Sequence, residues 1–356
     1  MNAETIRTTD GQSWGSRLAG VPHDVYHTLG YHALAEQLGE GSARLFVYRQ
    51  GERTFAFPYL LRPIPDDNSC FDITSVYGYP GPVASPGAPP GFLHRASAAL
   101  RQSWVDTGVV CAFTRFNPLL GNDRLMPEWD ANSFVVQPGH SVSMDLRLTR
   151  EQHQAHYPKT VRQEIAAARR RGMTTTEDPD WRDGDAFVAL YNGAMRARSA
   201  PPSYLLAPNW VQSIRRHLNG RIHLFCTRIE AHVVSAICVL EHHGILHAHL
   251  TGSDPVFAAA SPLKLLLDDV GDWCRARGAT TFHLGGGVGG KQDSLFEFKR
   301  RLSSRRDRFA FGGWIVDRNK FDALSGHAAP PLGQGFFPPY RDPAAVRHEL
   351  LTLTAR

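Results

Sequence analysis

The stretch HLGGGVGGKQDSLFEFKRRLSS, residues 283–304, places five glycines within six positions: Gly285, Gly286, Gly287, Gly289 and Gly290. The residues before it, TTFHL (280–284), have the composition of a short strand, and those after it begin with Asp293 and Ser294 and turn apolar and basic. Glycine adopts positive φ freely and lets the backbone approach a ligand closely. The pattern therefore predicts a strand that ends in a backbone-lined loop and reopens as a helix capped by Asp293. On that helix Leu295, Phe298 and Leu302 are expected to form the buried stripe, with Lys299 at its edge and Arg300 and Arg301 pointing away. Lys299 is then the cation aimed inward. Such a cation stabilises an oxyanion formed at an attacked carbonyl or, desolvated, serves as a base; its bland alternative is a lysine stem laid over apolar surface.

The chain has room for two domains in its 356 residues, and its 42% hydrophobic and 21% charged content is that of a globular protein. No apolar run approaches the length of a membrane-spanning helix, and MNAETIRTTDGQSW has no apolar signal-peptide core, so a cytoplasmic location is expected. Cys70, Cys111, Cys226, Cys238 and Cys274 are scattered with no C-x-x-C pair. That odd set reads as reduced thiols filling core positions, with no structural zinc.

Charge is concentrated. The net charge is +5, yet residues 156–173 carry Lys159, Arg162, Arg169, Arg170 and Arg171 against Glu164 alone, and residues 294–308 carry six cations against Glu297 and Asp307. A polyanionic ligand, phosphates first, is the functional reading; a pair of solvated helix faces is the plain one. A helix is predicted over 158–171, with Val161, Ile165 and Ala168 on its buried face and Lys159, Arg162, Arg169 and Arg170 on another.

Strand-like and helix-like runs alternate in both halves. Residues 43–64 read as two strands around a tight turn, 71–91 as a strand entering a Pro/Gly loop, 92–108 as a helix, 109–118 and 140–148 as strands. Later, 221–254 reads as three successive strands. Ser261 and Pro262 are expected to cap and start a helix with Leu263, Leu266, Leu267, Val270 and Cys274 as its stripe, ended by Gly278. The segment beyond Asp317 is Pro/Gly-rich and reads as a wrapping or flexible extension.

Three strands, a helix opened by Ser-Pro, a strand and a basic element form the order of an N-acetyltransferase-type domain. The residues LHAHLTGSD, SPLKLLLDDVGDWCRARGATTFHLGGGVGGKQDSLFEFKRRLSS, VRQEIAAARRRG and YNGAMRARSAPPSYL resemble the C-terminal domain of the FemAB-like aminoacyltransferases of the GNAT superfamily. DITSVYGYPGPV (72–83) resembles the matching loop of their N-terminal GNAT-like domain. The resemblance implies an α/β fold of two tandem GNAT-like domains, each a mixed sheet flanked by helices: 12–150, then a catalytic domain 151–317, then an extension 318–356.

The same resemblance implies transfer of an amino acid from aminoacyl-tRNA to a small-molecule or peptide amine, forming an amide without a covalent enzyme intermediate. The family's Phe-Lys pair falls on Phe298 and Lys299. Donor contacts are expected from Arg162, Arg169, Arg170 and the backbone of Gly285, Gly286 and Gly287. Tyr77, Tyr79, Arg198 and Tyr204 are the acceptor candidates, with Arg196 beside them. No cofactor or metal is expected. An acyl-CoA donor is the alternative, although SDPVFAAASPLK lacks the R/Q-x-x-G-x-G/A pattern usual before the Ser-Pro helix in acetyl-CoA enzymes. A silent GNAT-like binding module is a third reading, opposed by the Phe298–Lys299 pair.

Other motifs carry less. The glycine run is no dinucleotide fingerprint, because no acidic residue follows a second strand at the required distance. There is no G-x-S-x-G elbow. His247 and His249 share one side of a strand, but no further ligand has matching spacing.

Overall fold

The computed structural model describes residues 2–342 apart from 66, 128 and 327–330; the rest of the expected extension lies outside the described residues. By its contacts the chain forms two units, one running to Pro138 and resuming at Phe309, the other Gly139–Arg308. This differs from the linear division at 150 and 317. In the first unit, the end of strand Arg305–Ile315 pairs with Val109–Arg115, setting Ile315 opposite Cys111. In the second, the end of strand Ser133–Asp145 pairs antiparallel with Thr281–Gly285. The first unit thus takes its last strand from outside its first segment, and the second pairs its last strand with its own opening residues, which pairing decides and linear composition does not reveal.

The two units follow one plan. In the first, Asn2–Arg7, Ser42–Gln50, Arg53–Ile64 and Asp67–Thr74 are successive antiparallel neighbours. Asp67–Thr74 then pairs parallel with Val109–Arg115, the crossover being helix Pro90–Asp106. Phe57, Phe92, Trp104 and Trp314 form much of the core under that helix. The described part of the extension packs on this unit: Phe321 joins Ile64, Val110 and Ile315 in a small cluster, and Arg341 Nε reaches the fully buried Asp72 carboxylate at 2.7 Å. No separate domain is formed by those residues.

In the second unit Thr174–Glu177, Ile222–Ile229, His232–His242 and Ile245–Ser253 are antiparallel neighbours. Ile245–Ser253 pairs parallel with Thr281–Gly285 across helix Pro262–Ala276. Helix Lys159–Arg170 buries Val161, Ile165 and Ala168 as its periodicity requires. On Pro262–Ala276 the buried stripe includes Leu265, and the expected Leu263 is only half-buried. Ser261 does not cap this helix through its side chain: it sits at φ 54°, ψ 43° at the end of a short 3-10 segment, Pro255–Ala260. All five cysteines are buried and unbridged. Among the described residues no helix is long and apolar enough to cross a membrane.

Candidate active site

The strands of the second unit open where their parallel pair stops. Ile245 faces Thr281 and His247 faces His283, but beyond that rung the strands Ile245–Ser253 and Thr281–Gly285 no longer pair. A register shift between Cys238 and Val239 bends the neighbouring strand nearby in sequence. The glycines begin at this opening. Gly285 has φ 78°, a left-handed conformation that side-chain-bearing residues rarely adopt. Gly287 is required by closeness: a Cβ there would lie 2.1 Å from the Lys291 carbonyl oxygen and 2.3 Å from Asp293 Oδ1.

Asp293 organises both the loop and the helix. Its Oδ2 accepts from Val288 N–H at 2.8 Å, and its Oδ1 accepts from Phe296 N–H at 2.9 Å, the predicted N-cap of Ser294–Arg300. Burial alone would raise its pKa, but the backbone donors Phe296, Val288 and Leu295 hold it below the ordinary carboxylate value. The helix anchors differently from expectation. Phe296 is the buried residue, whereas Phe298 and Leu295 are half-buried. The helix ends at Arg300, so Leu302, fully buried, no longer follows its periodicity.

Lys299 is half-buried, and its Nζ donates to the Gly286 carbonyl at 2.7 Å. Burial lowers its pKa from the ordinary 10.5 to about 8, against an opposing pull from Asp293. A cation is thus held over the glycine loop by a carbonyl oxygen and a nearby carboxylate. Its neighbours are occupied elsewhere: Arg300 pairs with Glu297 at 2.5 Å, Arg301 donates to Thr160 Oγ1 at 2.6 Å, and Arg306 donates to the Ser303, Arg305 and Arg300 carbonyls.

The basic helix is more divided than its charge suggests. Arg169 pairs with Asp268 at 3.0 Å and Asp269 at 2.5 Å, so a free phosphate-binding role is not what its geometry offers. Arg162 donates to the Tyr157 and Gln154 carbonyls, and Arg170 is exposed. Asp268, Asp269 and Asp272 lie close enough together to hold a cation, but Arg150, Arg169 and Arg275 already neutralise them.

The acceptor candidates fall on different units. Tyr77 and Tyr79 lie on the first unit's Pro/Gly loop; Tyr77 is 45% exposed, and the Tyr79 ring meets Tyr26 and Phe309 edge-on. In the second unit Arg198 closes helix Gly184–Ala197 and donates to the Ala194 carbonyl, while Tyr204 is exposed on Pro202–Tyr204. His247 also meets His283: their Nδ1 atoms are 3.1 Å apart and both rings are buried. Burial lowers the His249 pKa to about 3. His283 went unrecognised because only the parallel register brings it beside His247.

Comparison with known proteins identifies the domain that carries this site. Residues 155–307 match the acetyltransferase (GNAT) domain family. These residues form a GNAT domain. FemX superposes with a TM-score of 0.67 at 12% identity, covering 91% of this chain and all of FemX. A tandem GNAT protein from the clavulanic acid biosynthesis pathway gives 0.51 at 12% identity over 88% of this chain and 99% of its own. L-PGS from Bacillus licheniformis gives 0.51 at 14% identity, over 87% and 93%. No curated protein sequence matches the chain. These likenesses establish a tandem GNAT-like fold; the local geometry bears on its chemistry.

In this GNAT domain, Gly287→Ala is expected to push Asp293 off the loop and to lower stability by about 1–3 kcal/mol, as forced overpacking does. Thermal denaturation reads the loss. An unchanged midpoint would show that the loop accommodates the methyl group.

Proposed function

We propose that this GNAT-fold protein is an acyltransferase that moves an aminoacyl group from aminoacyl-tRNA to an amine, in a specialised-metabolite or cell-envelope pathway. The observation that carries the reading is Lys299, half-buried at the glycine loop with its ammonium on the Gly286 carbonyl. The acceptor's neutral amine attacks the ester carbonyl and forms a C–N bond. The carbonyl oxygen takes negative charge, which the Lys299 ammonium stabilises. The C–O bond to the tRNA ribose then breaks, and the released hydroxyl takes the proton that the amine loses. Phe298, half-buried beside the core, fixes the turn that carries Lys299. Backbone groups at Gly285, Gly286 and Gly287 line the donor end, and exposed Arg170 is available to phosphates.

A second reading has one observation in its favour. The N-terminus of helix Pro262–Ala276 has no side-chain cap, and such a terminus suits the pyrophosphate of an acyl-CoA. A donor competition separates the two. Labelled aminoacyl-tRNA and a panel of acyl-CoAs are offered with a pool of cellular amines, with and without ribonuclease. The expected result is product from the tRNA donor alone, abolished by ribonuclease, with binding that weakens steeply as salt rises. Ribonuclease-resistant product from an acyl-CoA would replace the first reading with the second.

A further inference from the structure

A cavity of about 400 Å³ opens on the first unit's sheet, and none of the glycine-loop residues lines it. Strand register explains its chemistry. Arg7 lies directly opposite Arg44, and Arg44 directly opposite Tyr59, so their side chains share one face. Phe46 and Phe57, farther along that face, pack in the core with Leu100 and Trp104 of helix Pro90–Asp106. The helix ends at Asp106, and Thr107 lines the cavity. Where the helix stops, the face changes from aromatic to cationic.

Two arginines directly opposite on neighbouring strands repel each other. Among the described residues neither has an ion pair with a carboxylate; the hydrogen bond of Arg44 runs to the Ala43 carbonyl. Glu36 accepts from the Thr8 hydroxyl and from Ala43 N–H. The charged form of Arg44 is disfavoured first by burial and then by Arg7, with weaker support from Tyr59 and Glu36. The fold therefore holds two like charges together, one of them half-buried, beside the hydroxyl-bearing Ser42 and Tyr59 and the apolar Leu61 and Phe71. A ligand supplying the missing negative charge would remove the repulsion, and a guanidinium fork matches phosphate oxygens in pairs.

We propose that this cavity binds a phosphate monoester bearing a compact apolar group, with Arg7 and Arg44 on the phosphate and Leu61 and Phe71 against the apolar part. The volume is at the smaller end of the range for small-molecule sites. The proposal concerns a site apart from Lys299 and does not rest on the aminoacyl transfer reading.

The test uses the full chain with phenyl phosphate as probe, followed by calorimetry and by thermal midpoint. Phenyl phosphate is expected to bind saturably and to raise the midpoint by mass action. Inorganic phosphate should bind more weakly, and phenol should not bind. Arg44→Met and Arg7→Met should each weaken binding about tenfold or more. Without ligand, Arg7→Met should hold or raise the midpoint, because it removes the repulsion at an exposed position. Lys299→Met should leave phenyl phosphate binding unchanged. Three results would each overturn the site: no saturable binding up to about 10 mM, binding retained in both arginine variants, or binding lost in Lys299→Met but kept in Arg44→Met.

Discussion

Lys299→Met is expected to lower turnover about 100–1000-fold while the protein stays folded, the usual loss when one preorganised oxyanion contact is removed. Methionine keeps the length and apolar contact of the stem and removes only the charge. Arg300, on the same short helix, pairs with Glu297, so Arg300→Met should cost little. Equal losses for the two variants would end the assignment of Lys299 as the reacting cation. The pH profile adds a second readout. The Lys299 pKa is lowered to about 8 by burial, so the ammonium is lost as pH rises through that value. A cation that stabilises the oxyanion then gives activity that falls above about pH 8, whereas a base gives activity that rises there. Lys299→Arg keeps its charge to far higher pH and should abolish the falling limb even if turnover is reduced. The lowered pKa also has a stability consequence. Between about 8 and 10.5 the unfolded chain holds the proton and the folded chain does not, so this lysine makes stability rise with pH in that window.

What the sequence discloses about this site is local. Strand, glycine loop, Asp293 cap and inward lysine occupy 19 consecutive residues, Thr281–Lys299, and each rests on a short-range rule, so each is read correctly without any tertiary information. Failures begin where a partner is distant or an element is short. Projecting Leu295, Phe298 and Leu302 onto one stripe assumes a helix that continues to 302, but it stops at Arg300 and buries Phe296. The Ser-Pro signal places the start of Pro262–Ala276 correctly, yet the preceding 3-10 turn forces Ser261 into a left-handed conformation without a capping bond. His283 lies 36 residues from the His247 ring that it meets. The unit boundaries are hidden for the same reason, because the first unit's last strand is supplied by a remote segment. Charge runs are the least legible: Arg169 and Arg170 are adjacent and alike in sequence, and only the position of helix Pro262–Ala276 makes one an ion-pair partner and leaves the other exposed.

That difference yields the second large effect. Asp268→Ala is expected to lower stability by about 3–5 kcal/mol, the cost of breaking a buried ion pair from one side. Asp268 is 3% exposed. It accepts from the Tyr157 hydroxyl at 3.1 Å, from Gln154 Nε2 at 3.2 and 3.3 Å, from Arg169 at 3.0 Å and from Arg150 at 3.5 Å. These bonds tie Pro262–Ala276 to Lys159–Arg170 and to the short helix Arg150–Ala155. Without the carboxylate, the Tyr157 hydroxyl loses this acceptor in a buried position, and Arg169 keeps only Asp269. Burial, reinforced by the Asp268 charge, already raises the Tyr157 pKa, so its hydroxyl stays protonated and goes on needing an acceptor. For a unit of this size the thermal midpoint should fall on the order of 10 °C. Asp269→Ala, at a less buried carboxylate, should fall much less. Arg169→Met should likewise act on stability, leaving donor affinity nearly unchanged, while Arg170→Met should do the reverse. If Asp268→Ala left the midpoint unaltered and instead weakened donor binding, the cluster would be a ligand site, and the assignment of Arg169 to the scaffold would be wrong.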